Sequence, residues 1–443
     1  MSTFHIWTLG CQMNQADSLK LAAGLERLGY HAVDDDADAD LVVINTCSVR
    51  QHAEDRAYSR MGVLRKRRVQ GRQFKLAVMG CMVGPKTDDL RRRFPYVDVW
   101  ARPQEFDGIL AVASDARDVS GGELGALMDG GMRRTFGLPK GPTAFVPVIH
   151  GCDKFCTYCI VPLRRGREAS RPVAEILDEV RFLAVHGVRE VTLLGQTVEA
   201  YGHDLPAHPD GSRPDLATLF EGIDAIDGIT RVRFLTSYPK DMTDRIIDAV
   251  ADQPKVCEHF NIPVQSGSES MLERMRRGYT VADFEDRVAR IRSRMPDAAI
   301  VTDVIVGCPG ETEAEFADTV ALLERTQFDV IHVAAYSPRP GTYAARHLPD
   351  DVPAEVKQAR LQVVEAIHAA SSARINRELL GRQVEVLVEQ NEHGRSTGRT
   401  RRGQLVHFDA TGGIGELASV EISQVTAWSL QGHLAGSLSL AVL

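Results

Sequence analysis

Short apolar runs alternate with amphipathic stretches through the first 110 residues of this chain. The apolar runs are FHIWTL (4–9), LVVIN (41–45) and KLAVMG (75–80), and helical patterns cover residues 18–28 and about 50–69. Buried strands that alternate with amphipathic helices are typical of a parallel α/β sheet. We therefore predict an N-terminal α/β domain over residues 1–125.

The alternation lapses between residues 113 and 142. There SGGELGALMDGGMRR (120–134) is rich in glycine, and GLPKGPTA (137–144) is typical of turns. We predict a linker in this stretch.

Six further apolar runs follow the linker, and helical stretches such as 173–185 and 312–324 separate them. The candidate strands are residues 144–149, 190–195, 231–236, 259–264, 299–307 and 330–336. Six βα units are too few for a closed eight-stranded barrel, so we predict an open, partial (β/α)6 barrel over residues 142–375. As in closed barrels, functional residues are expected on the loops that follow the strands.

The last part of the chain has a different pattern. After a helical run from Lys357 to about Leu380, QVEVLVEQ (383–390) alternates strictly, and short strands with glycine turns follow. This pattern predicts a small all-β barrel over residues 379–443. Such barrels often bind oligonucleotides, and this one carries four arginines on one stretch, Arg395, Arg399, Arg401 and Arg402.

The composition is that of a globular protein of two to four domains: 443 residues, 44% hydrophobic and 25% charged. The N-terminus lacks a basic segment followed by an apolar stretch, so no signal peptide is expected. No apolar run approaches the 18 residues of a membrane-spanning helix. Eight cysteines are sparse for this length and are expected to be metal ligands or core residues in a reducing compartment, the cytoplasm.

The charge leaves two interpretations open. A net charge of −8 argues against nucleic acid binding, but basic residues cluster in five runs. The runs lie at residues 65–68, 91–93, 164–167, 276–277 and 399–402. Each run is either a solvated helix face or a patch for phosphate, because phosphate binding depends on local charge and not on the total.

Three cysteines on one short loop are the most informative feature of the chain. Cys152, Cys156 and Cys159 lie in GCDKFCTYC, directly after the strand-like run AFVPVI. Three thiolates with this C-x3-C-x2-C spacing can hold three irons of a [4Fe–4S] cluster and leave the fourth open for a substrate or cofactor. The alternatives are a zinc site or a disulfide loop, but zinc prefers four ligands, often as two CxxC pairs.

A second set of three cysteines follows the N-terminal strands. Cys11, Cys47 and Cys81 each lie one or two residues past a predicted strand, in TLGC, INTC and VMGC. The carboxyl ends of parallel strands form the ligand crevice of such sheets, so these thiols are expected to converge on a second cluster. The alternative is that they are three buried structural cysteines.

The motifs together resemble a known family. GCDKFCTYC with the following RGRE resembles the cluster loop of radical S-adenosylmethionine enzymes. TLGCQMN, NTCSVR, GQTVEAYG, PVQSGSE, VIVGCPGETE and YSPRPGT are similar to motifs of the tRNA methylthiotransferases of the MiaB type, and GRTRRGQLVHF is similar to their C-terminal TRAM domain. The resemblance covers nearly the whole chain.

This resemblance implies a reaction and its cofactors. Cys152, Cys156 and Cys159 correspond to ligands of the cluster whose open iron binds S-adenosylmethionine, and reductive cleavage then yields a 5′-deoxyadenosyl radical. Cys11, Cys47 and Cys81 correspond to ligands of an auxiliary [4Fe–4S] cluster that carries the sulfur. One S-adenosylmethionine methylates that sulfur, and a second supplies the radical that activates C2 of N6-isopentenyladenosine at tRNA position 37. The implied partners of a monomeric enzyme are the tRNA anticodon stem-loop and a reducing electron-donor protein.

The resemblance also suggests further site residues, for which the spacing of motifs gives less support. Tyr158 is expected to flank the cofactor adenine or to pack against the cluster. Residues at strand ends of the partial barrel are candidates for cofactor contacts: Gln196, Ser237, Gln265 and Gly307, with the turn to Glu311. Asn14 and Asn45 either orient the auxiliary cluster or cap local turns. Arg167, Arg399, Arg401 and Arg402 are candidates for RNA binding, with a salt bridge to Glu168 as the alternative for Arg167.

The chain departs from the family pattern at a few positions. Thr197, Asn261 and Cys308 stand where Asn, His and Phe are frequent. Cys257 and Cys308 belong to neither set of three and are expected to be core thiols. Related alternatives are methylthiotransferases that act on threonylcarbamoyl-adenosine in tRNA or on an aspartate of a ribosomal protein, and Arg339 is a position at which to compare them. The alternative of another class is a non-catalytic iron–sulfur protein that binds RNA.

Overall fold

The computed structural model describes residues 1–48, 51–115, 132, 135–207, 209–409 and 412–435, with the backbone alone at residues 51, 52 and 115. Its parts follow the predicted order of a parallel α/β sheet, a second α/β unit and a small β-barrel. The predicted α/β fold class is confirmed.

The N-terminal unit is a five-stranded parallel sheet. Its strands are β1 (Thr3–Thr8), β2 (His31–Ala32), β3 (Leu41–Thr46), β4 (Lys75–Gly80) and β5 (Val99–Ala101). Its helices are α1 (Gln12–Arg27), α2 (Gln51–Val69), α3 (Asp88–Arg93) and α4 (Asp107–Asp115). The strand order is β2-β1-β3-β4-β5.

The side chains of β3 explain why helices cover both faces of this sheet. Leu41 and Val43 pack with residues of α1 and α4, whereas Val42 and Ile44 pack with residues of α2. Successive side chains of a strand point to opposite faces, so a continuous apolar run needs a helix layer on each face.

Some boundaries differ from the prediction. α1 begins at Gln12 and not at Ser18, because Cys11 already has the extended backbone of an N-cap residue and the chain turns directly from β1 into the helix. The apolar pattern misses β2 and β5, which are too short to show a period. The predicted linker lies partly outside the described residues, which exclude 116–131 and 133–134.

The central unit contains six parallel strands in two three-stranded sheets. They are β6 (Thr143–Pro147), β9 (Glu190–Leu194), β10 (Arg231–Leu235), β11 (His259–Asn261), β12 (Ala299–Val306) and β13 (Val330–Ala335). The sheet orders are β10-β9-β6 and β11-β12-β13. A short antiparallel pair, β7 (Ile149–His150) with β8 (Ala169–Ser170), encloses the cysteine loop and the helix that follows it. This is the predicted open (β/α)6 arrangement, built around one continuous apolar core.

Nine helices of the described part surround or extend this unit. They are α5 (Val161–Arg165), α6 (Val173–Val185), α7 (Leu216–Asp224), α8 (Asp244–Asp252), α9 (Glu269–Arg274), α10 (Val281–Arg294), α11 (Glu313–Thr326), α12 (Tyr343–His347) and α13 (Ala354–Arg377). α6 matches its prediction, and α11 begins at a capping box in which Thr312 and Glu315 satisfy each other's backbone N–H groups.

The C-terminal unit is a closed five-stranded barrel, as predicted. Its strands are β14 (Gln383–Glu392), β15 (Arg395–Thr400), β16 (Leu405–Phe408), β17 (Leu417–Val425) and β18 (Leu430–Leu434), in the order β14-β15-β16-β18-β17. Alternating residues such as Val386, Val388, Val420 and Ile422 fill its interior.

Two buried arginines of β10 fasten this barrel to the central unit. Arg231, fully buried, donates to the carbonyl oxygen of Arg399 at 2.7 Å and to the Glu385 carboxylate at 2.7 Å. Arg233 donates to the carbonyl oxygens of Thr400 and Arg401, each at 2.6 Å. The turn after β15 therefore docks at the amino ends of the central strands.

The side chains of that turn add contacts of their own. Arg401 binds the Glu258 carboxylate at 2.8 Å and the Val256 carbonyl oxygen at 2.6 Å, and Arg402 pairs with Asp329 at 2.6 Å. Glu258 and Asp329 immediately precede β11 and β13. These arginines thus hold the barrel at the end of the central unit opposite to the loops that follow its strands.

No helix in the described part of the chain is long and apolar enough to cross a membrane.

We expect Arg231→Met to cost about 3 kcal/mol of unfolding free energy. It removes the cation that lies 3.9 Å from the buried Glu190 carboxylate and the donor to the carbonyl oxygen of Arg399. Urea unfolding followed by circular dichroism measures the loss. The control is Arg245→Met, since the Arg245 side chain is 56% exposed, and it should cost less than about 1 kcal/mol. Equal losses in the two variants would contradict the docking role of Arg231.

Candidate functional site

The central cysteine triad, Cys152, Cys156 and Cys159, lies on the loop between β7 and α5. Cys152 and Cys156 are buried and Cys159 is half-buried. The Cys152 N–H donates to the Gly166 carbonyl oxygen at 3.1 Å, and the Cys159 N–H donates to that of Cys156 at 3.0 Å. These bonds fold the loop so that all three sulfurs belong to one compact turn.

A glycine makes this fold of the loop possible. Gly151 has a φ of +75°, and a Cβ atom there would lie 2.0 Å from the Arg167 carbonyl oxygen. Only glycine satisfies both conditions.

The thiols of the central triad are hard to ionise without an added positive charge. Burial, together with the nearby Cys156 and Cys152, raises the pKa of Cys159 to about 12. Burial also raises the pKa of Cys152, although Thr197 Oγ1 lies 3.3 Å from its sulfur and favours the thiolate. A metal centre supplies the missing charge, because a coordinated thiol is deprotonated. The donor set therefore fits a cluster.

Arg277 is a residue of this site that the sequence analysis did not single out. Its Nη1 donates to the Cys156 sulfur at 3.2 Å and to the Tyr158 hydroxyl at 3.3 Å, and its Nε donates to the Tyr279 hydroxyl at 2.9 Å. The side chain is buried. Its only sequence signal is the basic pair before GYT, and nothing in that pattern tells which arginine faces the cysteines.

The strand-end residues carry unused polar atoms. Gln196 follows β9 and Gln265 follows β11, and each has a buried Oε1 with no hydrogen-bond partner. Gln265 also has a φ of +71°, a left-handed conformation that side chains rarely adopt and that is often found at functional sites. Two buried acceptors at the edge that carries the cysteine loop fit a polar ligand.

Ser237 follows β10 and lies beside Glu199, a second residue that sequence reasoning missed. Glu199 is 2% exposed, and its Oε2 accepts from the Tyr238 N–H at 3.2 Å. Burial raises the pKa of Glu199 to about 8, against the opposing effects of Ser237 and Tyr238. A buried carboxyl in the GQTVEAYG loop gives no sequence signal beyond its position after a strand.

Two predicted cofactor residues are placed in packing positions. The Tyr158 ring packs with Met271, Met275 and Cys308, and its expected contact with the cofactor adenine or the cluster stays a prediction. Gly307 faces the last central helix, since a Cβ there would lie 2.3 Å from Lys357 Cγ.

The departures from the family pattern also have places in the structure. Asn261 braces the ends of β10 and β11, because its Oδ1 accepts from the Thr236 N–H at 3.2 Å. Cys257 and Cys308 are buried among core residues, in the positions expected for core thiols.

The N-terminal cysteine triad, Cys11, Cys47 and Cys81, follows β1, β3 and β4. Cys47 and Cys81 are buried and Cys11 is exposed. Burial raises the pKa of Cys81 to about 11, and the three thiols are close enough that Cys47 and Cys11 each contribute to this rise. The structure thus brings together three cysteines that lie far apart in sequence.

Buried asparagines tie the loops of this triad together. Asn14 Nδ2 donates to Asn45 Oδ1 at 2.8 Å and to the Thr46 carbonyl oxygen at 2.8 Å, while Asn45 Nδ2 donates to the Asn14 carbonyl oxygen at 2.8 Å. The Cys11 sulfur lies 3.4 Å from Asn14 Oδ1. This pairing fits the expected orienting role of Asn14 and Asn45.

Glycines allow the close approach of these loops. A Cβ at Gly10 would lie 2.8 Å from Cys47 Cβ, and one at Gly80 would lie 2.4 Å from the Thr46 carbonyl oxygen. Both glycines have positive φ.

Two arginines from the central unit lie beside the N-terminal triad. Arg165 ends α5, and its charge lowers the pKa of Cys81 against the effect of burial. Arg339, in YSPRPGT, is buried near Cys47 and Glu54. Burial lowers the pKa of Arg339, and the negative charges of Glu54 and Cys47 oppose this shift. The central unit thereby supplies positive charge to the thiols of the N-terminal unit.

The structure describes all eight cysteines, and none of them forms a disulfide. Within the described ranges, no three His, Cys, Asp or Glu side chains are gathered as for a single metal ion. A cluster does not need such a point of convergence, since each thiolate binds its own iron.

The arginines predicted to bind RNA divide into two groups. Arg401 and Arg402 are used in docking the barrel. The Arg167 and Arg399 side chains are 72% and 46% exposed. Arg167 forms a salt bridge with Asp153 at 2.8 Å and lies over the Phe155 ring. Its salt-bridge partner is therefore Asp153 and not Glu168.

Three family models match the chain in the order of its units. Residues 3–102 match an uncharacterized protein family, UPF0004, residues 146–323 match the radical SAM superfamily, and residues 377–435 match the TRAM domain.

Solved structures show the same fold at low sequence identity. The chain is similar to a radical S-adenosylmethionine methyltransferase, TsrM, from Kitasatospora setae, solved with cobalamin and a [4Fe–4S] cluster bound, with a TM-score of 0.55, 15% identity and coverage of 78% and 74% of the two chains. It is also similar to a cobalamin-dependent S-adenosylmethionine radical enzyme, OxsB, with a TM-score of 0.52 and 11% identity over 83% of this chain and 56% of the other.

Curated relatives match over nearly the full length. The chain is 42% identical to a tRNA-2-methylthio-N(6)-dimethylallyladenosine synthase of Dehalococcoides mccartyi, over 98% of this chain and 99% of the relative. It is 41% identical to a synthase of the same name from Chloroflexus aurantiacus, over 97% and 91% of the two chains. With its radical SAM and TRAM regions in place, the chain belongs to the tRNA-2-methylthio-N(6)-dimethylallyladenosine synthase family and is a radical S-adenosylmethionine enzyme.

Proposed function

We propose that this chain transfers a methylthio group to C2 of N6-isopentenyladenosine at position 37 of tRNA. The observation that carries the proposal is the presence of two cysteine triads, one on the loops after three strands of the N-terminal unit and one on a single loop of the central unit, in a chain 42% identical to synthases of that name. Two molecules of S-adenosylmethionine are consumed, one as methyl donor and one as radical source. The domains are residues 1–125, 142–375 and 379–443.

The triads are assigned to two [4Fe–4S] clusters. Cys152, Cys156 and Cys159 hold one, and Cys11, Cys47 and Cys81 hold the other. When bound, these clusters supply the electron that cleaves S-adenosylmethionine and the sulfur that is inserted. Adenine C2–H is not acidic, so the protein needs no general base there, and its residues bind and orient the reactants and exclude water.

The groups around the central triad have distinct tasks in this proposal. Gln196 and Gln265 offer buried acceptors to S-adenosylmethionine, and Arg277 holds the cysteine loop through Cys156 and Tyr158. With its pKa raised to about 8, Glu199 is protonated at neutral pH and is a hydrogen-bond donor for the same ligand. The site therefore presents donors and acceptors without a full negative charge at Glu199.

The tRNA must present its base unstacked between the two triads. Exposed arginines, Arg167 next to the central triad and Arg399 on the barrel, are the proposed phosphate contacts. A monomeric chain in the cytoplasm, reduced by a separate electron-donor protein, completes the proposal.

We expect anaerobic reconstitution to give about eight irons per chain, and about four in each of two triple variants. One variant replaces the central triad by alanine, and the other replaces the N-terminal triad. Iron analysis with Mössbauer spectroscopy measures this. The control is Cys257→Ala, which removes a core thiol and should keep all the iron. About four irons in wild type, falling to none without the central triad, would mean that the N-terminal cysteines hold no cluster.

We expect the variant without the N-terminal triad to form 5′-deoxyadenosine from S-adenosylmethionine under a strong reductant, but to make no methylthiolated tRNA. The reason is that the two triads serve separate steps. Product analysis by mass spectrometry measures both reactions.

With wild type, tRNA that lacks the isopentenyl group should react far more slowly, and equal turnover would contradict the specificity for isopentenylated tRNA. Absence of 5′-deoxyadenosine from reconstituted wild type would favour the non-catalytic RNA-binding protein.

We expect Glu199→Gln to flatten the dependence of stability on pH. Glu199 binds its proton with a pKa of about 8 when folded and near 4.5 when unfolded, so the folded state holds more protons between these values. Unfolding free energy therefore falls in wild type as pH rises from about 5 to 8, and this part of the fall is lost in the variant. Urea unfolding of the cluster-free protein at several pH values measures it. An exposed control, Glu221→Gln, should follow wild type, and a Glu199→Gln profile that also follows wild type would contradict the raised pKa.

A further inference from the structure

Arg165 crosses from the central unit to the N-terminal triad as a buried cation. It follows the central triad on α5, and its Nη2 lies 3.2 Å from Asp17 Oδ2 on α1. The two side chains are 4% and 3% exposed. A buried ion pair has a large desolvation cost, so its presence at this junction calls for a reason beyond stability.

The buried guanidinium of Arg165 has room for a further hydrogen-bond partner. Its Nη1 is buried and meets no hydrogen-bond partner with good geometry, although the guanidinium lies beside the Cys81 thiol. A buried N–H donor without a partner is costly in a folded protein, and a group bound between the thiols would satisfy it.

We infer that Arg165 is a positioning residue of the auxiliary centre, which supplies a buried positive charge and the free Nη1 donor to the cluster held by Cys11, Cys47 and Cys81. This inference rests on the proposed function, because it needs a cluster at that triad. Asp17 sets the orientation of the guanidinium by occupying Nη2.

The same junction connects the two cysteine loops. Gln104 interacts with Asp17, and its Nε2 lies 2.9 Å from His150 Nε2, two residues before Cys152. Arg165 thus belongs to one polar chain that runs from the N-terminal triad to the start of the central triad. This position suits a residue that fixes the position of the N-terminal triad relative to the central triad.

The expected effect of Arg165 is on the reduction potential. Reduction adds a negative charge to a cluster, so a buried cation and a hydrogen bond to its sulfurs favour the reduced state. Removal of the cation should shift the equilibrium toward the oxidised form. Removal of the Asp17 charge should shift it the other way, because the field of Arg165 is then less compensated.

The test uses the full-length chain with Cys152, Cys156 and Cys159 replaced by alanine, so that the auxiliary cluster is observed alone. In this parent, Arg165→Gln should favour the oxidised form by at least tenfold, a fall of 59 mV for one electron. Arg165→Lys keeps the charge, so its reduction potential should lie between those of the parent and of Arg165→Gln. Asp17→Asn should raise the potential above that of the parent. Iron analysis and redox titration followed by electron paramagnetic resonance measure these changes.

The control is Arg171→Gln, which removes a mostly buried arginine of the same junction that pairs with Glu179 at 2.6 Å. It should leave the potential of the parent unchanged. Failure of the parent to bind about four irons would refute the proposed function itself. If Arg165→Gln and Asp17→Asn both bind about four irons and both keep the reduction potential of the parent, the inference about Arg165 is overturned while the proposed function stands. If Arg165→Gln does not fold, Asp17→Asn decides, since no rise in its potential would overturn the inference.

Discussion

The common edge at which parallel strands end is the constraint on which this site depends. It brings Cys11, Cys47 and Cys81 together although they follow three different strands. Asn14 and Asn45 then fix the loops by reciprocal hydrogen bonds. The central unit applies the same rule, with its cysteine loop and the unused acceptors of Gln196 and Gln265 at the ends of its strands. The parallel strands of both units thus place the two sites by the same rule, at or after strand ends.

The second constraint on the sites is that positive charge must compensate the charge of the buried thiolates. Buried thiols resist ionisation, and the chain places arginines where thiolates must form: Arg277 beside Cys156, and Arg165 and Arg339 beside the N-terminal triad. Two of these three come from the unit that does not carry the cysteines they serve. The junction between the units is therefore part of the site, and its stability and its chemistry depend on the same residues.

The parts of the fold with a strong pattern could be predicted, and the exceptions have physical causes. The apolar runs of β1, β3 and β4, the six runs of the central unit and the alternation of β14 predict the three units in order, because periodicity reports burial directly. The strands β2 and β5 are too short to show a period. The start of α1 was placed too late because nothing in the letters CQMN shows that Cys11 caps the helix. The basic run with Arg401 and Arg402 predicts RNA binding, and only the fold shows that both arginines dock the barrel on the central unit.

The sequence by itself determined the identity and number of the thiols, their placement after strands, and the resemblance that names the chemistry. These are local properties, fixed by spacing and by periodicity along the chain. The tertiary structure alone decided that Arg277, Glu199 and Arg165 belong to the sites and that GRTRRG faces the central unit. Those facts depend on contacts between residues far apart in sequence, such as Arg165 with Asp17 and Arg231 with Arg399. Burial and charge pairing arise only when distant segments pack, so no pattern along the chain contains them.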